Sequence, residues 1–343
     1  MTESRPESVV QLAILDPLLY GAAKTFDYLG FRGQDMIDRV GDGIVQYGVD
    51  EGYFEKSNDP HQFAGNVAKF FLENGYLSNV SAKQESDTLD IAISNWKYLP
   101  VLRKLRNRRS YLLTCPLCIA YNSIGKSVGN VMERVREDVS PDGTYTVKIR
   151  SIPGTRDVEN TAVPIQKADL NGVRLGNQLN ETIGTRAFES VLYGLAYGFE
   201  FLGAQAQLLL DNVGTGMIEF IQEESNLNFP KELEDSLGIL STFMSKGGLA
   251  DAIRVQASNS EVRVDFDNSR YLPVLKRLMQ EGKRLVSCPF TLAARTLIKM
   301  SGSSIGEMTW QIEGHNTRLL LPIVDANKQE FNEEAVSRIM DQL

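Results

Sequence analysis

Few residues in this sequence are equipped for chemistry. It holds 3 Cys and 2 His. Two of the cysteines form Cys115-Pro-Leu-Cys118, a C-x-x-C spacing that suits a redox pair or half of a metal site. Cys288 opens the related run Cys288-Pro-Phe-Thr291, and no second C-x-x-C exists. Burial of these thiols as small apolar side chains is therefore the favoured reading. His315 lies in Glu-Gly-His-Asn-Thr and His61 follows Asp59-Pro60; both read as turn or loop residues. A phosphate loop, a nucleophile elbow and a complete G-x-G-x-x-G are all missing, and Val40-Gly-Asp-Gly43 lacks the third glycine. The chain reads as non-enzymatic.

A second chemical feature is basic. Arg103, Lys104, Arg106, Arg108 and Arg109 place five cations in seven residues. They form either a solvated helix face or a contact for an anionic ligand, an acidic partner or lipid head groups. The whole chain is acidic, with 36 Lys+Arg against 44 Asp+Glu and a net charge of −8, which argues against a nucleic-acid binder. The third feature is aromatic. Tyr20, Phe26, Tyr28, Tyr193, Tyr197 and Phe199 fall on helical patterns, where they build a core or line an apolar ligand pocket.

The elements that carry these residues occur twice. Asn95-Trp-Lys-Tyr-Leu-Pro-Val-Leu-Arg-Lys-Leu corresponds to Asn268-Ser-Arg-Tyr-Leu-Pro-Val-Leu-Lys-Arg-Leu, an offset of 173. The same offset pairs Cys115-Pro116 with Cys288-Pro289, Leu19-Tyr-Gly21 with Leu192-Tyr-Gly194, Val40–Gly43 with Val213–Gly216, and Gly75 with Gly248. A unit of about 140 residues is far longer than a solenoid repeat, so this register reads as a duplicated domain. The expected organisation of the 343 residues is one copy at 9–150, a Gly/Asn/Pro/Asp-rich linker at 151–180, a second copy at 181–325 and a helical tail at 326–343.

Within each unit, apolar spacings of three and four predict long N-terminal helices, broken in two at Val-Gly-x-Gly. A shorter helix ends at Gly75 or Gly247-Gly248. Alternation predicts strands at Thr88–Ile93, Ile253–Ala257 and Glu261–Phe266. Pro100 suits the first turn of a helix, Cys115-Pro116 leads into another, and strands at Thr144–Arg150 and Thr317–Ile323 close the units. Helices segregated from a small antiparallel sheet make an α+β class. No run reaches the 18 apolar residues of a membrane span, and the polar first residues lack a secretory core, so the expectation is a cytoplasmic protein.

This order of long helices, hairpin, Cys-Pro-[Leu/Phe] and closing strand resembles the 4-vinyl-reductase domain, a hydrocarbon-binding fold similar to the vesicle-tethering TRAPP subunits. The resemblance implies two tandem ligand-binding domains without a cofactor. They would bind a hydrophobic small molecule, tetrapyrrole-like by family association, or serve as an assembly or scaffold factor in a larger complex, photosynthetic by the same association. Protein partners and peripheral contact with a membrane complex follow from that reading. The alternatives are a pure protein-interaction module and a reductase acting on a vinyl tetrapyrrole. Sensor members of the family hold zinc through the motif Cys, a Glu and two later Cys. Here only Cys115 and Cys288 match; Glu133 and Glu307 lie near the Glu position, and Tyr145 and Arg318 stand near the last Cys. No metal is expected.

Overall fold

The computed structural model describes residues 8–29, 31–85, 88–94, 96–108, 114–127, 129–140, 142–153, 181–203, 206–283 and 287–325. Nearly all of the 151–180 linker, the 326–343 tail and Arg109 lie outside the described residues. The first half runs β1 (Val9–Gln11), α1 (Leu12–Asp27), α2 (Phe31–Asp50), α3 (Pro60–Glu73), β2 (Asn79–Glu85), β3 (Thr88–Ser94), α4 (Leu99–Asn107), α5 (Pro116–Ser127), β4 (Asn130–Val139) and β5 (Tyr145–Pro153). The second runs β6 (Thr182–Gly184), α6 (Thr185–Glu200), α7 (Ala206–Ser225), α8 (Leu233–Lys246), β7 (Ala252–Ala257), β8 (Glu261–Asp267), α9 (Leu272–Gln280), α10 (Pro289–Met300), β9 (Ser303–Ile305), β10 (Thr309–Glu313) and β11 (Asn316–Asp325). The class is α+β.

Each half builds an antiparallel sheet, ordered β2-β3-β5-β4 in the first and β7-β8-β11-β10 in the second. β4 is a strand that the sequence pattern missed, because its polar-rich run Asn-Val-Met-Glu-Arg-Val-Arg-Glu-Asp-Val does not alternate cleanly and shifts register between Arg134 and Arg136. In the second half the same stretch is split into β9 and β10, both paired with β11.

The halves are joined through their helices. α1 packs on α7, and α2 on α6. α1 and α6 are buried on almost every face, so they sit at the centre of one shared core. The short strands exchange as well: Val10 pairs with Ile183 across β1 and β6. The Leu12 amide donates to the Glu181 carbonyl at 2.8 Å, and the Gly184 amide donates to that of Asn74 at 2.8 Å.

The Val-Gly-x-Gly motifs do not break a helix, contrary to the sequence expectation. Both lie inside α2 and α7, and the breaks come earlier, between Asp27 and Phe31 and between Glu200 and Ala206, where Gly203 turns left-handed at φ 56°. The motif glycines are there for close approach. A Cβ on Gly41 would lie 2.7 Å from the Ile119 carbonyl carbon, and one on Gly214 2.7 Å from that of Leu292. On the opposite side, a Cβ on Gly43 would lie 2.9 Å from the Cα of Gly194, and one on Gly216 2.6 Å from the Cα of Gly21. Helix backbones from both halves therefore touch through glycine.

Candidate functional site

The basic run lies on α4 and is largely spent within the molecule. Lys104 is buried and pairs with Glu223 and, at 2.9 Å, with Glu224, both on α7. Its ammonium also stands 5.0 Å from the Phe220 ring. Arg108 pairs with Glu219 and Glu223, and Arg106 with the buried Glu137 at 2.7 Å. Arg103 is exposed. Glu219 also receives Lys24 and the Tyr20 hydroxyl, the latter at 3.0 Å. The second half repeats the device, with the Tyr193 hydroxyl donating to Glu281 at 2.8 Å and Lys283 pairing with Glu281 and Glu200. We expect Glu219→Ala, which leaves Tyr20, Lys24 and Arg108 without that acceptor, to cost roughly 1–2 kcal/mol in urea unfolding. The difference should shrink as salt is added.

The aromatic candidates are packed against each other. Tyr20, Phe26, Tyr193 and Phe199 are buried, and Phe26 stacks on Phe199 across the two halves at 5.0 Å between centroids. Tyr193 stacks on Tyr47 at 4.8 Å, and Tyr197 is half-buried beside it. The cavity bordering Phe26 measures about 10 Å³, room for no more than one water. Tyr28, in contrast, is 73% exposed, as is its counterpart Phe201 at 65%.

Cys115, Cys118 and Cys288 are buried thiols outside any disulfide. Burial pushes the Cys288 thiol up to about 11. Burial acts the same way on Cys115, but hydrogen bonds from the Cys118 thiol and amide outweigh it and hold that thiol below its ordinary value. Among the described residues no group of three or more His, Cys, Asp or Glu could hold a metal ion. Tyr145 is stacked on Trp96, and Arg318 pairs with Asp265 at 2.6 Å. His315 sits in the β10–β11 turn as expected, whereas His61 belongs to the first turn of α3, where its amide donates to the Asp59 cap.

Another arrangement escaped the motif search. An open cleft of about 830 Å³ lies where α6, the start of α9, β1 and the β10–β11 turn meet. Val9, Leu272 and Pro273 give it an apolar wall, and Glu189, Asp251, Arg270 and His315 give it polar edges. Glu189 is only 7% exposed, and the Tyr53 hydroxyl donates to its Oε2 at 2.8 Å. Burial, aided by the nearby Glu51 charge, raises its carboxyl to about 7, against the hydrogen bond from Tyr53 and the charge of Arg186. At the edge of the cleft Arg270 is held by Asp251 at 2.5 Å and the Asn268 carbonyl at 2.6 Å.

The corresponding place in the first half is closed. The residues 173 positions before Glu189, Ser269 and Arg270 are Asp16, Trp96 and Lys97. Trp96 is fully buried. The Lys97 ammonium donates to the Thr182 carbonyl at 3.0 Å and pairs with Glu181 at 3.3 Å. Asp16 is fully buried, neither of its oxygens has a hydrogen-bond partner among the described residues, and its carboxyl is raised well above the usual carboxylate range. Burial is the main cause, with Glu181 and Glu224 adding to it and Lys97 opposing it. The signal in sequence was an acid at the same place in two otherwise apolar helix patterns, Asp16 and Glu189.

No family model matches the chain, and no curated protein matches it. A solved structure described as an oxygen binding H-NOX domain related to soluble guanylate cyclases is similar at 16% identity over 39% of this chain and 70% of that one, with a TM-score of 0.25. The resemblance to the 4-vinyl-reductase family accordingly rests on the short motifs alone. Among the described residues no helix is long and apolar enough to cross a membrane.

Proposed function

We propose that this chain is a non-enzymatic small-molecule-binding protein made of a duplicated α+β unit, with copies at 9–150 and 181–325. Support for the duplication comes from α1 and α6, α3 and α8, α4 and α9, and α5 and α10, whose bounds all differ by 173 residues. The observation that carries the binding reading is the inequality of the copies: one cleft stands open beside Glu189, and its counterpart is bridged by Lys97. A duplicated binding fold needs only one working site, and the other is then free to become a structural partner. The packed aromatic core moves the ligand away from Tyr20, Phe26, Tyr193 and Phe199. Native mass spectrometry of protein purified from its own source tests this. A stoichiometric small molecule released on unfolding is the expected result, and a bare polypeptide mass in every preparation would refute it.

A second reading, a protein-binding role, is favoured by the exposed aromatic tips Tyr28 and Phe201, which occupy equivalent positions beside the Phe26–Phe199 stack. Exchanging both for Ser should remove co-purifying proteins at a cost in stability of no more than about 1 kcal/mol, the scale of the lost Arg39–Phe201 contact. Retention of the same proteins by the double variant would eliminate that role.

A further inference from the structure

We propose that the cleft beside Glu189 takes an organic cation, an alkyl- or arylalkyl-ammonium whose charge meets the Glu189 carboxylate and whose apolar body lies on Val9, Leu272 and Pro273. This rests on the binding reading above and adds the chemical class of the ligand.

The first half supplies the argument. There the protein fills the equivalent place with its own alkylammonium: Lys97 reaches the backbone of β6 at Thr182 and the carboxylate of Glu181, close enough to Asp16 to ease its ionisation. In the second half the equivalent acid is kept, as Glu189, and the equivalent cation, Arg270, is paired with Asp251 at the edge of the cleft instead. The Asn268 carbonyl holds it there as well. Ser269 stands where Trp96 gives bulk. Ser8 and Val9, which stand where Glu181 and Thr182 receive Lys97 in the first half, line the open cleft.

Charge points the same way. Asp251 and Arg270 neutralise each other, and Glu189 makes no ion pair among the described residues. Its carboxyl accepts a hydrogen bond from the neutral Tyr53 hydroxyl; Arg186 lies over the Tyr53 ring, 5.6 Å from its centroid. A carboxylate this deeply buried gains most from a ligand that brings a compensating charge and N–H donors. An anion would meet Glu189 unfavourably, and a neutral ligand would bring no charge for it to pair with. The volume, about 830 Å³, lies within the range of small-molecule sites.

Three probes of one shape test this by calorimetry on the full chain: phenethylamine, 2-phenylethanol and 3-phenylpropionate. Saturable binding of phenethylamine alone is expected. Glu189→Gln should weaken it at least about tenfold, the scale of one lost charge-assisted hydrogen bond. Ser269→Trp should abolish it by filling the cleft; circular dichroism confirms folding of each variant, and Glu189→Gln decides the matter where Ser269→Trp does not fold. Binding of the alcohol or the carboxylate as well as the amine, blocked by Ser269→Trp, would overturn the cation assignment and leave the binding reading standing. Binding of none of the three overturns the cation assignment, and a bare native mass in addition overturns the binding reading. Amine binding that survives Glu189→Gln undiminished places it elsewhere and overturns the proposal.

Discussion

Gly214→Ala will destabilise the protein severely, while Gly238→Ala, an equally helical glycine, will stabilise it. At Gly214 the added methyl would lie 2.7 Å from the Leu292 carbonyl carbon and nearer still to its oxygen. Backbone cannot swing aside as a flexible side chain can, so α7 and α10 must separate. Overpacking a core costs about 1–3 kcal/mol where neighbours can adjust, and we expect more than about 3 here. That is a large share of the ~5–15 kcal/mol that holds a domain folded. Gly238, in α8, has nothing within 4 Å of its would-be Cβ. Alanine there gains roughly 0.5–1 kcal/mol from helix propensity and a less flexible unfolded chain. Gly41→Ala and Gly65→Ala should behave the same way, since Gly41 faces the Ile119 carbonyl and Gly65 faces open space. Chemical denaturation of the four variants checks this; equal midpoints for Gly214→Ala and Gly238→Ala would refute the close-approach role.

The second large effect is on pH. Glu189 is raised from 4.5 to about 7 and Asp16 is raised well above 3.8, each mainly by burial. A raised carboxyl binds its proton more tightly in the folded state. Its stabilisation is therefore complete below the unfolded value and is lost as pH climbs through the folded one. For Glu189 the window is about pH 4.5–7, and 2.5 units correspond to roughly 3 kcal/mol. Glu51, Arg186 and Tyr53 face this carboxyl on one side, and Asp251, Arg270 and His315 line the cleft on the other. Glu189→Gln keeps an acceptor for Tyr53 but cannot ionise. We expect it to match the native chain near pH 4.5 and to exceed it in stability at pH 8, with a further gain from Asp16→Asn. Thermal unfolding across that range is the measurement, and parallel curves for both chains would count against the assignment.

Much of the element order was legible in sequence because it is written locally. Alternation marks Glu261–Asp267 as a strand, Pro100 and Pro273 open the first turns of α4 and α9, and Gly75 and Gly248 stop the helices before them with φ of 70° and 83°. Each of these signals is carried by a residue and its near neighbours. β4 was lost because a bulge and a charged sequence hide its period, and the Val-Gly-x-Gly motifs were misread because glycine signals a break and a close approach with the same letter.

What the immediate neighbours of a residue could not settle was settled by chain segments that only the fold brings together. The cations Lys104 and Arg108 read as a free basic face until α7 brings Glu219, Glu223 and Glu224 against them. Phe26 and Phe199 read equally as core or as pocket lining in sequence, and the two central helices stack them on each other. The acids at positions 16 and 189 are alike in sequence context. One is sealed beside Lys97 and the other borders an open cleft, because the fold sends Lys97 across to β6 and ties Arg270 back to Asp251. Sequence alone thus determined where the helices lie and, among the described residues, five of the eleven strands, β3, β5, β7, β8 and β11. Only the tertiary structure decided which charges are neutralised, which aromatics are consumed by packing and which buried carboxyl has room for a ligand, since each depends on distances that periodicity does not encode.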